Sequence, residues 1–170
     1  MSAADAHTMM LEVVTPQRVV YSGEITSVSV PGVNGYIGFM AGHVPYVVAV
    51  HPGVLSFRPV GGGPATRAGV DADARLVERV GAAMGAETSP AEGGPRKMAV
   101  TEGFAVAGGD KVTLLVDAAE LSESIDVTRA QTARERALSR LNARVADVDL
   151  MRARGALRRA MARLKAAGVE

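Results

Sequence analysis

The 170-residue sequence has no cysteine and no tryptophan, aromatic residues make up only 4% of it, and no proline follows Pro95. Without cysteine there can be no disulfide, no thiolate metal site and no sulfur nucleophile. His43, one of three histidines, has no second histidine or carboxylate at ligand spacing. A structural or contact role is expected of it rather than metal or base chemistry. No apolar run approaches the roughly 18 residues of a membrane-spanning helix, and the first ten residues lack the basic and apolar regions of a signal peptide. A soluble chain is expected. Phosphate loops, dinucleotide fingerprints, zinc-protease motifs and nucleophile elbows are all missing. Gly108-Gly109-Asp110-Lys111 reads as a hairpin turn, so the sequence offers no catalytic constellation and no metal site.

What is present falls into two regions of opposite charge. Up to Asp117 there are eight basic and eleven acidic residues; beyond it there are eleven basic and seven acidic. The first region, 1–117, carries short β-prone runs: Leu11–Val14, Arg18–Tyr21, Thr26–Val30, Tyr36–Phe39, Tyr46–Val50, Val54–Arg58, Lys97–Thr101, Phe104–Ala107 and Val112–Val116. Val28 and Val30 alternate with Ser27 and Ser29, the period of a half-buried strand. Thr15-Pro16, Pro31-Gly32, Asn34-Gly35 and Pro52-Gly53 read as turns between strands. An all-β sandwich of about 8–10 short antiparallel strands is expected.

In the second region, 118–170, Ala, Arg and Leu dominate, and apolar positions recur at helical spacing. Val127, Ala130, Ala137, Leu141, Val145 and Val148 form one stripe, and Leu150, Leu157, Met161 and Leu164 a second. The short interruption around Val145–Asp149, with Asp147 as N-cap of the second helix, predicts an antiparallel helical hairpin. Its stripe residues are mostly Ala, Val or single Leu, which bury little between the two helices, so it should dock on something and be able to dock in more than one way. Between residues 61 and 95 lies an insertion with Gly-rich ends. Leu76, Val80 and Met84 at i+4 spacing allow a short amphipathic helix there, either a plain surface insertion or a partner-binding element.

Arg129 and Arg136 are seven apart on the first helix, and Arg159 and Arg163 four apart on the second. Folded together, the helices could aim four guanidinium groups at a triphosphate. A solvated face would explain Arg159 and Arg163 equally well. Nucleic acid is a poor partner for this basic hairpin, which has no aromatic residue for base stacking.

The segments at 11–16 (LEVVTP), 20–23 (VYSG), 35–38 (GYIG), 42–45 (GHVP), 52–55 (PGVL), 100–104 (VTEGF), 111–117 (KVTLLVD), 125–130 (IDVTRA), 134–137 (RERA) and 157–161 (LRRAM) resemble, in order and spacing, the epsilon subunit family of F-type ATP synthases. The resemblance implies a non-catalytic rotor subunit at the foot of the central stalk, coupling c-ring rotation to the catalytic head. On that reading Gly35, Tyr36, Ile37 and Gly38 form a c-ring contact, and His43 lies near the gamma subunit. Tyr36 stands where the family often has an acidic residue. The hairpin would be a switch, compact on the sandwich or extended toward the beta and alpha subunits, where it blocks hydrolysis. Some family members bind ATP in the compact state through a signature matched here by Ile125, Asp126, Arg129 and Ala130, with Glu120, Arg136, Arg159 and Arg163 in the accompanying positions. The resemblance thus implies no required cofactor, ATP as a regulatory ligand, a monomer when isolated, and a peripheral place on the cytoplasmic side of the bacterial plasma membrane. A free-standing nucleotide-binding sensor is the alternative reading.

Overall fold

A computed structural model describes residues 7–60, 94–142 and 150–169. Among the described residues nine strands precede two helices: β1 (Met9–Val14), β2 (Val19–Gly32), β3 (Gly35–Met40), β4 (His43–Val50), β5 (Gly53–Pro59), β6 (Arg96–Val100), β7 (Gly103–Gly109), β8 (Lys111–Val116) and β9 (Ala119–Leu121), then α1 (Val127–Asn142) and α2 (Leu150–Ala166). The strands form the expected sandwich. Residues 19–25 of β2 pair with β1, and its second half pairs with β3 on one side and β5 on the other. One sheet therefore runs β2–β1–β8–β7–β4 and the other β3–β2–β5–β6–β9, with β2 shared between them.

The sharing explains why two expected strands, Arg18–Tyr21 and Thr26–Val30, are one. Ile25 and Val28 both face the core although they are three residues apart, an odd step that a flat strand cannot make. A register shift between Ile25 and Ser27 supplies the extra residue and bends the strand from one sheet into the other. Pro31-Gly32 accordingly closes a strand, and the chain reverses at Val33-Asn34. β1 and β8 run parallel, a departure from the antiparallel pairing expected throughout. A parallel pair requires a long crossover, which the intervening strands provide.

The core lies between the sheets. Leu11, Val13, Ile25, Val30, Phe39, Leu55, Phe57, Met98, Val100 and Leu114 are each at most 1% exposed. Small residues face them on β7, where Ala105 and Ala107 are buried. Gly103 marks the tightest approach: a Cβ there would lie 2.0 Å from the Leu115 carbonyl oxygen. The sheet continues past Asp117, because β9 pairs with β6 and Ala119 joins the core.

The hairpin is docked against β5 and β6, and its burial pattern differs from the expected stripe. On α2 the buried residues are Ala153, Ala160, Ala162, Leu164 and Ala166, while Leu150 and Met161 are 45% and 44% exposed. Ala130 and Ala137 are buried on α1, as expected. Alanine lets α1, α2 and the sheet approach closely, so the helix face that touches two neighbours is the alanine face. Ile125 and Ala166 close the contact against Val54 and Ala99. A Schellman cap ends α2: Gly168 has φ +76, its N–H donates to Lys165 O, and Val169 N–H donates to Leu164 O at 3.1 Å. Residues 61–93 of the insertion, with the short helix expected around Leu76, Val80 and Met84, and the link containing Val145, Asp147 and Val148 lie outside the described residues.

Candidate functional site

The chain leaving β9 passes through a 3-10 turn at Ser122–Ser124 and enters α1 at Asp126. The Asp126 carboxylate accepts from the Arg129 backbone N–H at 2.9 Å, and its carbonyl accepts the first helical bond from Ala130. Asp126 is thus the N-cap of α1, and its carboxylate also favours the positive end of the helix dipole. Capping fixes the direction in which α1 leaves the sheet. That direction opens a cleft of about 580 Å³ between β9, the start of α1 and the end of α2, within the roughly 300–1,000 Å³ range of small-molecule sites.

Glu120, Asp126, Arg129, Ala130, Arg136 and Arg163 line the cleft, together with Ser124, Thr132 and Ala133. Six of the eight residues proposed from sequence for nucleotide contact are therefore brought together. Of the other two, Ile125 is not on the cleft wall but buried, packed with Val54 and Ala99. Arg159 faces another way: its Nη1 lies 3.7 Å from Glu102 Oε1, next to Thr101 and Ala118. Arg163 donates from Nε and Nη2 to Glu120 Oε1 at 3.0 and 2.7 Å. Neither Arg159 nor Arg163 sits on a purely solvated face.

The cleft is electrostatically unbalanced. Glu120 is matched by Arg163, and Asp126 is engaged by the helix N-terminus. The exposed guanidinium groups of Arg129 and Arg136 make no ion pair among the described residues. Two free planar donor forks on a concave wall suit a polyanion. Sequence reasoning did not name Ser124, Thr132 or Ala133. The signal for the latter two was available, since 129, 132, 133 and 136 follow the i, i+3, i+4, i+7 rule for one helix face; Ser124 lies in a turn that no periodicity marks.

The other two candidate regions lie elsewhere. Gly35, Tyr36 and Gly38 are exposed at the start of β3, directly after the two-residue turn, and Ile37 is half-buried against the core. His43, on β4, sets its ring against Phe39 at a centroid distance of 4.9 Å and holds Nδ1 2.8 Å from the Val44 carbonyl. A carbonyl oxygen only accepts, so Nδ1–H is the donor in that contact. Among the described residues no group of His, Asp and Glu could hold a metal ion.

The sandwich and the helical region have counterparts in known proteins. A family model described as "ATP synthase, Delta/Epsilon chain, beta-sandwich domain" matches residues 8–71, and one described as "ATP synthase, Delta/Epsilon chain, long alpha-helix domain" matches residues 123–168. The chain is 41% identical over 140 residues to the ATP synthase epsilon chain of Brevibacillus brevis, spanning 82% of this chain and 83% of that one. It is 38% identical over 137 residues to that of Moorella thermoacetica, spanning 81% and 79%. Among solved structures, a chain of the Euglena gracilis mitochondrial ATP synthase (OSCP/F1/c-ring) matches with a TM-score of 0.67 at 17% identity, covering 95% of this chain and 81% of that one; at that identity the likeness is one of fold. With both regions matched separately and the relatives aligned across most of their length, this chain belongs to the delta/epsilon family of ATP synthase subunits.

Proposed function

We propose that this chain couples rotation in the central stalk of an F-type ATP synthase and that its docked hairpin is a nucleotide-responsive brake on ATP hydrolysis. As a family member the chain is a non-catalytic rotor-coupling subunit. The finer reading gives it the gamma subunit as neighbour near His43, the c-ring as neighbour of the Gly35–Gly38 segment, and the beta and alpha subunits as targets of the extended hairpin. Its place would be peripheral, on the cytoplasmic side of the bacterial plasma membrane. Among the described residues no helix is long and apolar enough to cross a membrane.

The carrying observation is the cleft, where Arg129 and Arg136 make no ion pair among the described residues and stand beside Arg163. ATP seated there would bridge α1, α2 and β9, and so favour the docked state by mass action. Docking itself rests on little apolar surface. Leu164 is the only large side chain among the buried residues of α2, and an alanine methyl group contributes only about 0.8 kcal/mol. A bistable hairpin needs such a small bias, since a ligand shifts an equilibrium only by its differential affinity for the two states.

Isothermal titration of ATP into the full chain tests the reading. Saturable one-to-one binding that disappears in an Arg129→Ala/Arg136→Ala variant is expected. Absence of binding at millimolar ATP, or equal binding by the variant, would remove the nucleotide-sensing role and leave the rotor role standing.

A further inference from the structure

A second cavity, of about 230 Å³, lies at the corner where α2 meets the first residues of β3 and β5. Arg158, Met161 and Lys165 line it from α2, Tyr36 from β3, and Gly53 and Val54 from β5. Arg158 and Lys165 lie roughly opposite Arg163 around the helix, so this corner is separate from the cleft. Their seven-residue separation places them about 10 Å apart along the helix axis.

Every polar side chain on this cavity wall can donate a hydrogen bond. A guanidinium and an ammonium group only donate, and a phenol can do so. No acidic residue lines the cavity among the described residues. Arg159, Arg163, Arg96 and Lys111 each have a carboxylate partner, whereas Arg158 and Lys165 have none among the described residues. Two cations with no carboxylate partner among the described residues leave their donors open to an anion. A tetrahedral phosphate, with several acceptor oxygens, can take a planar fork, a point charge and a phenol hydroxyl together. Tyr36 and Met161 are also 57% and 44% exposed, which adds an apolar flank for whatever the phosphate is esterified to.

We infer that this corner binds a phosphate ester between Tyr36, Arg158 and Lys165, at a site independent of the α1–α2 cleft. Because Tyr36 belongs to the sandwich and the two cations to the hairpin, the bound ester ties one to the other. Its occupancy favours the docked hairpin from the side away from the cleft. The ester is either a free metabolite or a phospholipid headgroup, and the two sources separate in solution.

The test uses the full chain, an Arg158→Ala/Lys165→Ala variant, a Tyr36→Phe variant, and Arg129→Ala/Arg136→Ala as the control for the cleft. Glycerol 3-phosphate is titrated calorimetrically, and co-sedimentation is measured with phosphatidylcholine vesicles with and without phosphatidylglycerol. Expected is binding to at least one phosphate ester, weakened about tenfold or more in the Arg158/Lys165 variant, as loss of charge-assisted hydrogen bonds implies, and less in Tyr36→Phe. The cleft control should bind like the parent. Calorimetric binding identifies a free ester, and sedimentation with phosphatidylglycerol alone identifies the headgroup. Failure of both ligands to bind, unchanged binding by the Arg158/Lys165 variant, or loss in the cleft control overturns the proposal. Circular dichroism checks that each variant keeps its helix content.

Discussion

Arg163 grips a single oxygen of Glu120 with two of its nitrogens, at 3.0 and 2.7 Å, and so fastens the end of α2 to the last strand of the sandwich. The side chains are 28% and 37% exposed, and solvent screens the pair to roughly 1 kcal/mol at most. Replacing Arg163 by Ala should lower the docked-to-undocked ratio up to about fivefold. Fluorescence transfer between a label at Ser139 and one at Ser56 would report it, with a lysine substitution recovering part of the loss and added salt mimicking it.

Leu164 carries more of the docking. It is 1% exposed, and Leu→Ala in such a setting costs about 2–5 kcal/mol. The loss should fall on the hairpin: amide exchange of α1 and α2 should accelerate while β1, β7 and β8 keep their protection. Equal acceleration of the strands would mean that hairpin and sandwich unfold as one unit.

Asp126→Ala removes the cap of α1 and should cost about 1 kcal/mol. The Arg129 amide, which donates to that carboxylate, should show the largest rise in exchange. Asp126→Asn should retain most of the stability, since the cap needs an acceptor oxygen more than a charge.

Gly103→Ala should be the most damaging single methyl group in the sandwich. The new Cβ would meet Leu115 O at 2.0 Å and Val116 Cα at 2.7 Å, both backbone atoms. β7 and β8 must separate locally, at about 3 kcal/mol or more, read as a fall in the urea midpoint with an unchanged slope.

Burial raises the Tyr21 phenol above its ordinary value of 10.0, with Arg96 pulling the other way. The folded state therefore holds this proton more tightly than the unfolded chain. Stability is fully present below pH 10, and falls as pH rises from there through the folded value. A Tyr21→Phe variant should lose less stability than the parent over that alkaline window in a denaturant titration.

Much of this was legible in the sequence for local reasons. Alternation in Val112, Leu114 and Val116 places the core face of β8, and burial follows it. Val127 and Ala130 opened the expected helical stripe, and the helix does start there, capped by Asp126. Two errors share one cause. β2 looked like two strands because Thr26 breaks the alternation, which in space is a bulge between sheets. Met161 looked buried because it is large and at helical spacing from Leu157 and Leu164, yet apart from Leu164 the buried face of α2 is made of alanines. Pattern registers which residues share a face; it does not measure the gap that face must fill.

The sequence by itself determined the two regions, the strand and helix periods and the spacing of the arginines, because each depends on residues within a turn or two of one another. Only the tertiary structure decided that β1 lies parallel to β8, that Arg163 meets Glu120 while Arg159 turns to Glu102, and that Arg158 and Lys165 stand beside Tyr36. Those pairings join residues far apart along the chain, and their geometry is set by how closely alanine-faced helices settle on the sheet, a distance that no local pattern encodes.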